Sequence, residues 1–217
     1  MKTIYFISGL GADERIFEQL TLPPGISVVY LQWLPPLPGE TMDAYAQRMS
    51  AGIDTSQPFY LAGLSFGGMV ATEMLRYVQP VKTILISSAA CRYELPALYR
   101  FAGAVGLHRL LTVKLAANAS LIVSYLFQLK TPAQRKMVQQ MMRNTNPQLF
   151  QWSVHSIVKW QRKEAPENII RIHGTADRTL PLVKNRNYQY LVQKGSHFMI
   201  ASKAQEVSAL LAQILHD

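Results

Sequence analysis

The chain has 217 residues, 49% of them hydrophobic, with one cysteine and a formal charge of +9. That length supports one globular domain with a sizeable core and room for an inserted subdomain. An intramolecular disulfide is excluded, and no apolar run reaches the ~18 residues that span a bilayer.

Met1-Lys2 ahead of an apolar stretch has the outline of a short signal peptide. Ile4-Tyr5-Phe6-Ile7, however, is β-branched and aromatic, the composition of a buried strand. We therefore read Thr3–Ile7 as a strand and expect a cytoplasmic protein, which the single Cys91 matches. A glycine-rich loop comes next, Ser8-Gly9-Leu10-Gly11-Ala12. A helix is predicted over Asp13–Leu20, where acids suit the N-terminus. Further strands are predicted at Ser27–Gln32, Phe59–Leu64, Thr83–Ser87, Asn168–Ile172 and Tyr188–Val192. Each is short and apolar, as for strands buried on both faces. Leu34–Gly39, with three prolines, is a rigid connector. Helices are predicted at Met42–Gly52 behind the N-cap Thr41, at Phe66–Val78 ahead of Pro80, and at Lys203–Leu215. The alternation implies an α/β fold: a mostly parallel six-stranded sheet with helices on both faces.

Between the fourth and fifth strands lies a gap of about residues 89–167, too long for a structureless loop in a compact domain. It reads as helices over Leu95–Leu129, Pro132–Arg143 and Pro147–Gln161, the last packing on the sheet through Phe150, Val154, Ile157 and Val158. Residues 91–165 hold eleven Lys/Arg and two Asp/Glu, so the whole charge excess lies there. Such asymmetry marks a module. We expect a core of residues 1–90 and 166–217, with 91–165 as a helical cap or lid inserted before the fifth strand.

Gly63-Leu64-Ser65-Phe66-Gly67-Gly68 fits G-x-S-x-G between a strand and a helix. In that turn the serine takes strained backbone angles, and side chains two positions either side would collide, so Gly63 and Gly67 are required there. A serine hydroxyl needs a base to take its proton. His197 comes after the last strand, and a loop at that end of a parallel strand faces the same crevice as Ser65. Asp177 comes after the fifth strand, where a carboxylate can hold the histidine Nδ1–H; the alternative is a turn aspartate that caps the next helix. His173 ends the fifth strand, but the chain order serine, acid, histidine makes it structural. His108 and His155 read as cap histidines, His216 as a solvated one, and Cys91 as an inert small residue. An oxyanion would be held by the amide of Phe66 and by one from the glycine-rich loop, for which we choose Leu10.

These residues resemble the α/β-hydrolase superfamily, in its small bacterial-type members, over about residues 1–90 and 166–217. Ser8 stands where the superfamily usually has histidine. The resemblance implies hydrolysis without metal or cofactor, and a cap that sets substrate choice. The expected reaction is cleavage of a carboxylic ester through an acyl-enzyme on Ser65, with His197 as base and Asp177 orienting it. A thioesterase, a lysophospholipase, a C–C hydrolase or lyase, and a non-catalytic ligand receptor are alternatives on the same residues. The partner would be a small ester or thioester, apolar or anionic. Fifteen apolar residues of the cap, from Leu95 to Phe127, either line such a pocket or form the cap's own core. The basic charge reads first as a solvated surface, with attraction of an anionic substrate or membrane as the less favoured reading. Scattered basic residues without a recognition motif give no support to nucleic-acid binding.

Overall fold

The structure is a computed structural model and describes residues 2–216; residues 1 and 217, the outer ends of the expected core, lie outside the described residues. Six strands form one sheet: β1 (Lys2–Ile7), β2 (Ile26–Tyr30), β3 (Phe59–Leu64), β4 (Lys82–Ile86), β5 (Ile169–Gly174) and β6 (Tyr190–Val192). Their order is β2-β1-β3-β4-β5-β6 and every pair is parallel. The chain runs outward from β1 to β2, then returns past β1 to β3. That reversal places a crevice between the C-terminal ends of β1 and β3, where ligands bind in open parallel sheets.

Side-chain alternation along β1 divides the core in two. Tyr5 and Ile7 face one layer, with α1 (Met42–Ser50) and α2 (Phe66–Met74). Ile4 and Phe6 face the other, with Ile84, Ile86 and Ile172, the short α8 (Met199–Ser202) and the inward residues of α9 (Ala204–His216). Thr41 caps α1 by accepting from the Ala44 N–H (3.2 Å). The sheet centre is fully buried, but β2 is an edge strand with Val28 and Tyr30 exposed, so not all six strands are covered on both faces. The helix predicted at Asp13–Leu20 is only a 3₁₀ turn, Glu14–Phe17. Ile16 and Phe17 turn inward together, and Pro23 and Pro24 soon force extended chain. Helix α2 stops at Met74 rather than Val78, because the Tyr77 and Val78 N–H groups both turn back onto the Met74 carbonyl.

Five helices occupy the stretch between β4 and β5: α3 (Ala97–Ala104), α4 (Val113–Asn118), α5 (Ser120–Phe127), α6 (Pro132–Asn144) and α7 (Pro147–Val158). Two buried carboxylates tie this stretch to the sheet. Glu73 of α2 accepts from Trp160 Nε1 (2.8 Å) and Arg162 Nε (2.9 Å). Glu94 accepts from both terminal nitrogens of Arg171 on β5 (2.7 and 2.9 Å) and from the Ala90 N–H (2.7 Å). Removing one member of such a pair leaves a buried charge without its partner. Arg171→Met is expected to lower unfolding stability by roughly 3 kcal/mol, read as a fall in urea midpoint; an unchanged midpoint would show that Arg186, 3.5 Å from Glu94, suffices.

Candidate active site

Ser65 lies between β3 and α2 with φ 52° and ψ −119°, a conformation that ordinary residues avoid. Its neighbours permit the turn only because they lack side chains. A Cβ on Gly63 would stand 2.5 Å from the Gly67 carbonyl oxygen, and one on Gly67 would strike the carbonyls of Ile7 and Ser8. The turn is held from β4: the Ser65 N–H donates to the Ile86 carbonyl (2.9 Å), and the Ser88 hydroxyl donates to the Ser65 carbonyl (2.6 Å).

The structure brings Ser65, His197 and Asp177 into one line. His197 Nδ1 is 2.8 Å from Asp177 Oδ2, and His197 Nε2 is 2.9 Å from Ser65 Oγ. Asp177 and His197 are buried, whereas Ser65 is half-buried at the crevice. Burial pushes the Asp177 carboxyl up, but His197, the Leu180 N–H and His173 outweigh it and hold it below the ordinary carboxylate value. An ionised carboxylate only accepts, so His197 donates from Nδ1 and leaves Nε2 free to accept from the Ser65 hydroxyl. This arrangement can take a proton from Ser65 as its oxygen attacks an electrophile.

The order of bonds after β5 explains how residues 20 apart meet. The Thr175 N–H donates to the Val192 carbonyl (3.0 Å) and the Ala176 N–H to the Gly195 carbonyl (2.9 Å). These bonds staple the turn that carries Asp177 to the turn that carries His197. Asp177 Oδ1 accepts from the Thr179 and Leu180 N–H groups, both at 2.8 Å, which fixes the carboxylate plane. Thus Asp177 both closes its turn and faces His197. His173 is behind it, 3.6 Å from Oδ2, and donates from Nε2 to the Leu180 carbonyl (2.8 Å).

Leu10 lines the cavity above Ser65. The loop that carries it is close: a Cβ on Gly9 would stand 3.3 Å from the Ser65 Cβ. Phe66 opens α2, and the first amides of a helix lack partners within it. Ser8 braces the loop by donating to the Ala12 carbonyl (2.9 Å) and accepting from Trp33 Nε1 (2.8 Å). The Trp33 ring stacks on Phe66 (5.4 Å between centroids). Neither brace is legible from residue spacing, since Trp33 belongs to the connector after β2.

The cavity at Ser65 holds about 40 Å³. Leu10, Ile16, Leu64 and Ile200 wall it from one side, Phe127, Val138 and Met141 from the helices between β4 and β5. Among the described residues, Ser65 and His197 are the only polar side chains in its lining, and no Lys or Arg reaches it. The Phe127 ring lies against His197 (5.2 Å). His108 and His155 are elsewhere, hydrogen-bonded to each other (3.0 Å), and His216 is exposed. Cys91 is buried, and burial, with Glu94 adding to it, pushes its thiol up, away from thiolate reactivity. Among the described residues no group of three or more His, Cys, Asp or Glu is placed to hold a metal ion, and no helix is long and apolar enough to cross a membrane.

Residues 4–210 match the sequence model of the alpha/beta hydrolase family. The chain belongs to that family. Its fold is the α/β-hydrolase fold, and solved structures share it at low identity. An esterase from Thermogutta terrifontis aligns with TM-score 0.75 at 14% identity, over 100% of this chain and 90% of that one. A hydrolase from Oleispira antarctica gives 0.77 at 13%, over 100% and 92%. A bromoperoxidase from Bacillus anthracis gives 0.72 at 15%, over 100% and 92%. Such likenesses carry the fold and not the substrate. No curated protein matches the chain.

Burial of His173 has a measurable consequence in this α/β hydrolase. Burial holds His173 below its ordinary value of 6.5, although Asp177 and the Leu180 carbonyl pull it upward. As pH falls through 6.5 the unfolded chain binds this proton first, so stability declines until the folded imidazole also titrates. Asp177, held low, keeps its contribution above the ordinary 3.8 and loses it only as pH falls through its folded value. The urea midpoint is therefore expected to drop as pH falls below about 6.5. His173→Asn should flatten that drop; an equally steep drop in the variant would assign it elsewhere.

Proposed function

We propose that the protein hydrolyses carboxylic esters with a short, apolar acyl group through an acyl-enzyme on Ser65. The observation that carries this reading is the unbroken line from Asp177 Oδ2 through His197 to Ser65 Oγ, at 2.8 and 2.9 Å, opening on an apolar cavity. Family membership supports a hydrolase, and the esterase among the structural neighbours is compatible with an ester.

Ser65 Oγ attacks the carbonyl carbon as His197 Nε2 takes its proton. Asp177 holds the tautomer that leaves Nε2 free and stabilises the imidazolium. The amides of Leu10 and Phe66 are the donors assigned to the carbonyl oxygen as it becomes an oxyanion. His197 returns its proton to the leaving alkoxide, draws one from water as that water attacks the acyl-enzyme, and gives it back to Ser65 Oγ as the acid departs. The cavity has room for about three water molecules, which suits a short acyl chain, and its lining offers no cation to an acidic one.

The test is fluorophosphonate labelling and turnover of p-nitrophenyl acetate, butyrate and palmitate, each with the wild type and Ser65→Ala. Stoichiometric labelling on Ser65, with the short esters preferred, is expected. Labelling on another residue, or equal turnover in the variant, refutes the reading.

A further inference from the structure

The helices between β4 and β5 expose far more apolar surface than their packing explains. Leu98, Phe101 and Val105, at helical spacing on and just beyond α3, are exposed. So are Leu107, Leu110 and Leu111 around the following 3₁₀ turn, Leu115 of α4, and Leu121, Ile122 and Tyr125 of α5. Leu98 is 70% exposed, Leu110 73% and Leu121 85%, so these side chains are neither a core nor a pocket wall. The elements form a connected arc: the 3₁₀ turn packs on α3 and α7, and α4 packs on α5 and α7. Soluble monomers rarely present that many large apolar groups in one region, and where they do, it marks an interaction surface. Helix α5 sharpens the point: it contains no charged residue. Val123 and Phe127 turn toward the core and the cavity while Leu121, Ile122 and Tyr125 turn out. An uncharged helix with large apolar side chains on its outward as well as its inward side is one that a further apolar medium would cover.

Charge decides between occupants. No Asp or Glu occurs between Glu94 and Glu164, a stretch that contains ten Lys/Arg. Glu94 itself is buried against Arg171. Arg109 and Lys114 stand exposed among the apolar residues, and among the described residues neither pairs with a carboxylate. Arg178 lies over the outward Tyr125 ring at 4.3 Å, adding a third cation at the rim. A second copy docking through this face would set cations against cations on a chain already at +9. An anionic bilayer offers complementary charge and a medium for the leucines.

We propose that the outer face of the α3–α5 arc docks on the surface of an anionic lipid bilayer, with Leu98, Leu110 and Leu121 entering the headgroup boundary and Arg109 and Lys114 meeting lipid phosphates. The sequence alone favours a solvated surface here; the outward placement of these side chains changes that reading. Docking is independent of the ester chemistry, so it is scored on the Ser65→Ala protein as well as the wild type.

The experiment is flotation of the full chain with phosphatidylcholine vesicles and with vesicles containing phosphatidylglycerol, at low and high salt. Binding to the anionic vesicles, weakened by salt, is expected. Leu98→Ser/Leu110→Ser/Leu121→Ser should reduce it at least about tenfold. Arg109→Gln and Lys114→Gln should each reduce it about fivefold. The two cation variants keep the apolar face intact and carry the result if the triple variant fails to fold. Absence from both vesicles, or equal binding to both, overturns the proposal. So does a concentration-dependent dimer in sedimentation velocity that the serine substitutions abolish, since the face then belongs to a second copy.

Discussion

Ser65→Ala is expected to lower kcat on a short p-nitrophenyl ester about 10⁶-fold, leaving only the catalysis supplied by binding and the amide donors. The methyl group removes the oxygen proposed to attack and the proton that His197 would take. The turn should survive, because its supports are backbone groups: the Ser65 N–H on the Ile86 carbonyl, and the Ser65 carbonyl under the Ser88 hydroxyl. Alanine occupies the φ 52° position with a side chain no larger than serine's. The unfolding free energy from urea titration should therefore stay within about 1 kcal/mol of wild type. Activity reduced less than about tenfold in a folded variant would transfer the nucleophile elsewhere.

Legibility in the sequence depends on which interactions are local. β3, Ser65 and the start of α2 are contiguous, so a strand pattern, two obligatory glycines and a helix identify the turn without tertiary information. Asp177 and His197 are also legible, because both come after strands of a parallel sheet whose C-terminal ends share one rim. The exposure of β2 is not legible. Its apolar residues resemble those of β3, and only the reversal of the chain at β1 makes it an edge. Ser8 and Trp33 are 25 residues apart and meet only because β1 and β2 pair in parallel, which aligns the loops at their ends. The outward leucines of α3 to α5 mislead pattern reading for a different reason: hydrophobic periodicity predicts burial against protein, and these side chains are exposed.

The stretch between β4 and β5 and the turn that carries Asp177 are also linked. Gln128 Nε2 donates to the Ala176 carbonyl (2.7 Å), and the Tyr99 hydroxyl donates to the Thr179 carbonyl (3.1 Å). Phe127 covers the histidine beside them. Helices that shape the cavity thereby rest on the same turn that presents Asp177, so a shift of α5 would be felt at the carboxylate as well as at the cavity wall.

Asp177→Asn separates the two roles of that residue. A turn aspartate needs only an oxygen to accept from the Thr179 and Leu180 N–H groups. Asparagine supplies that oxygen at the Oδ1 position, so the turn should hold. The two backbone donors then place the amide nitrogen where Oδ2 was, facing His197 Nδ1. An NH₂ group donates, so Nδ1 must become the acceptor and the ring proton moves to Nε2. That nitrogen can no longer accept from the Ser65 hydroxyl 2.9 Å away. The imidazolium formed on attack also loses its counter-charge. The expected result is a fall in kcat of about 10⁴-fold with little change in urea midpoint. Histidine ¹⁵N chemical shifts should report the proton on Nε2 in place of Nδ1. Asp177→Ala, by contrast, should lose both turn and tautomer, and so lower stability too. A kcat within about tenfold of wild type in a folded Asn variant would leave Asp177 as a cap and nothing more.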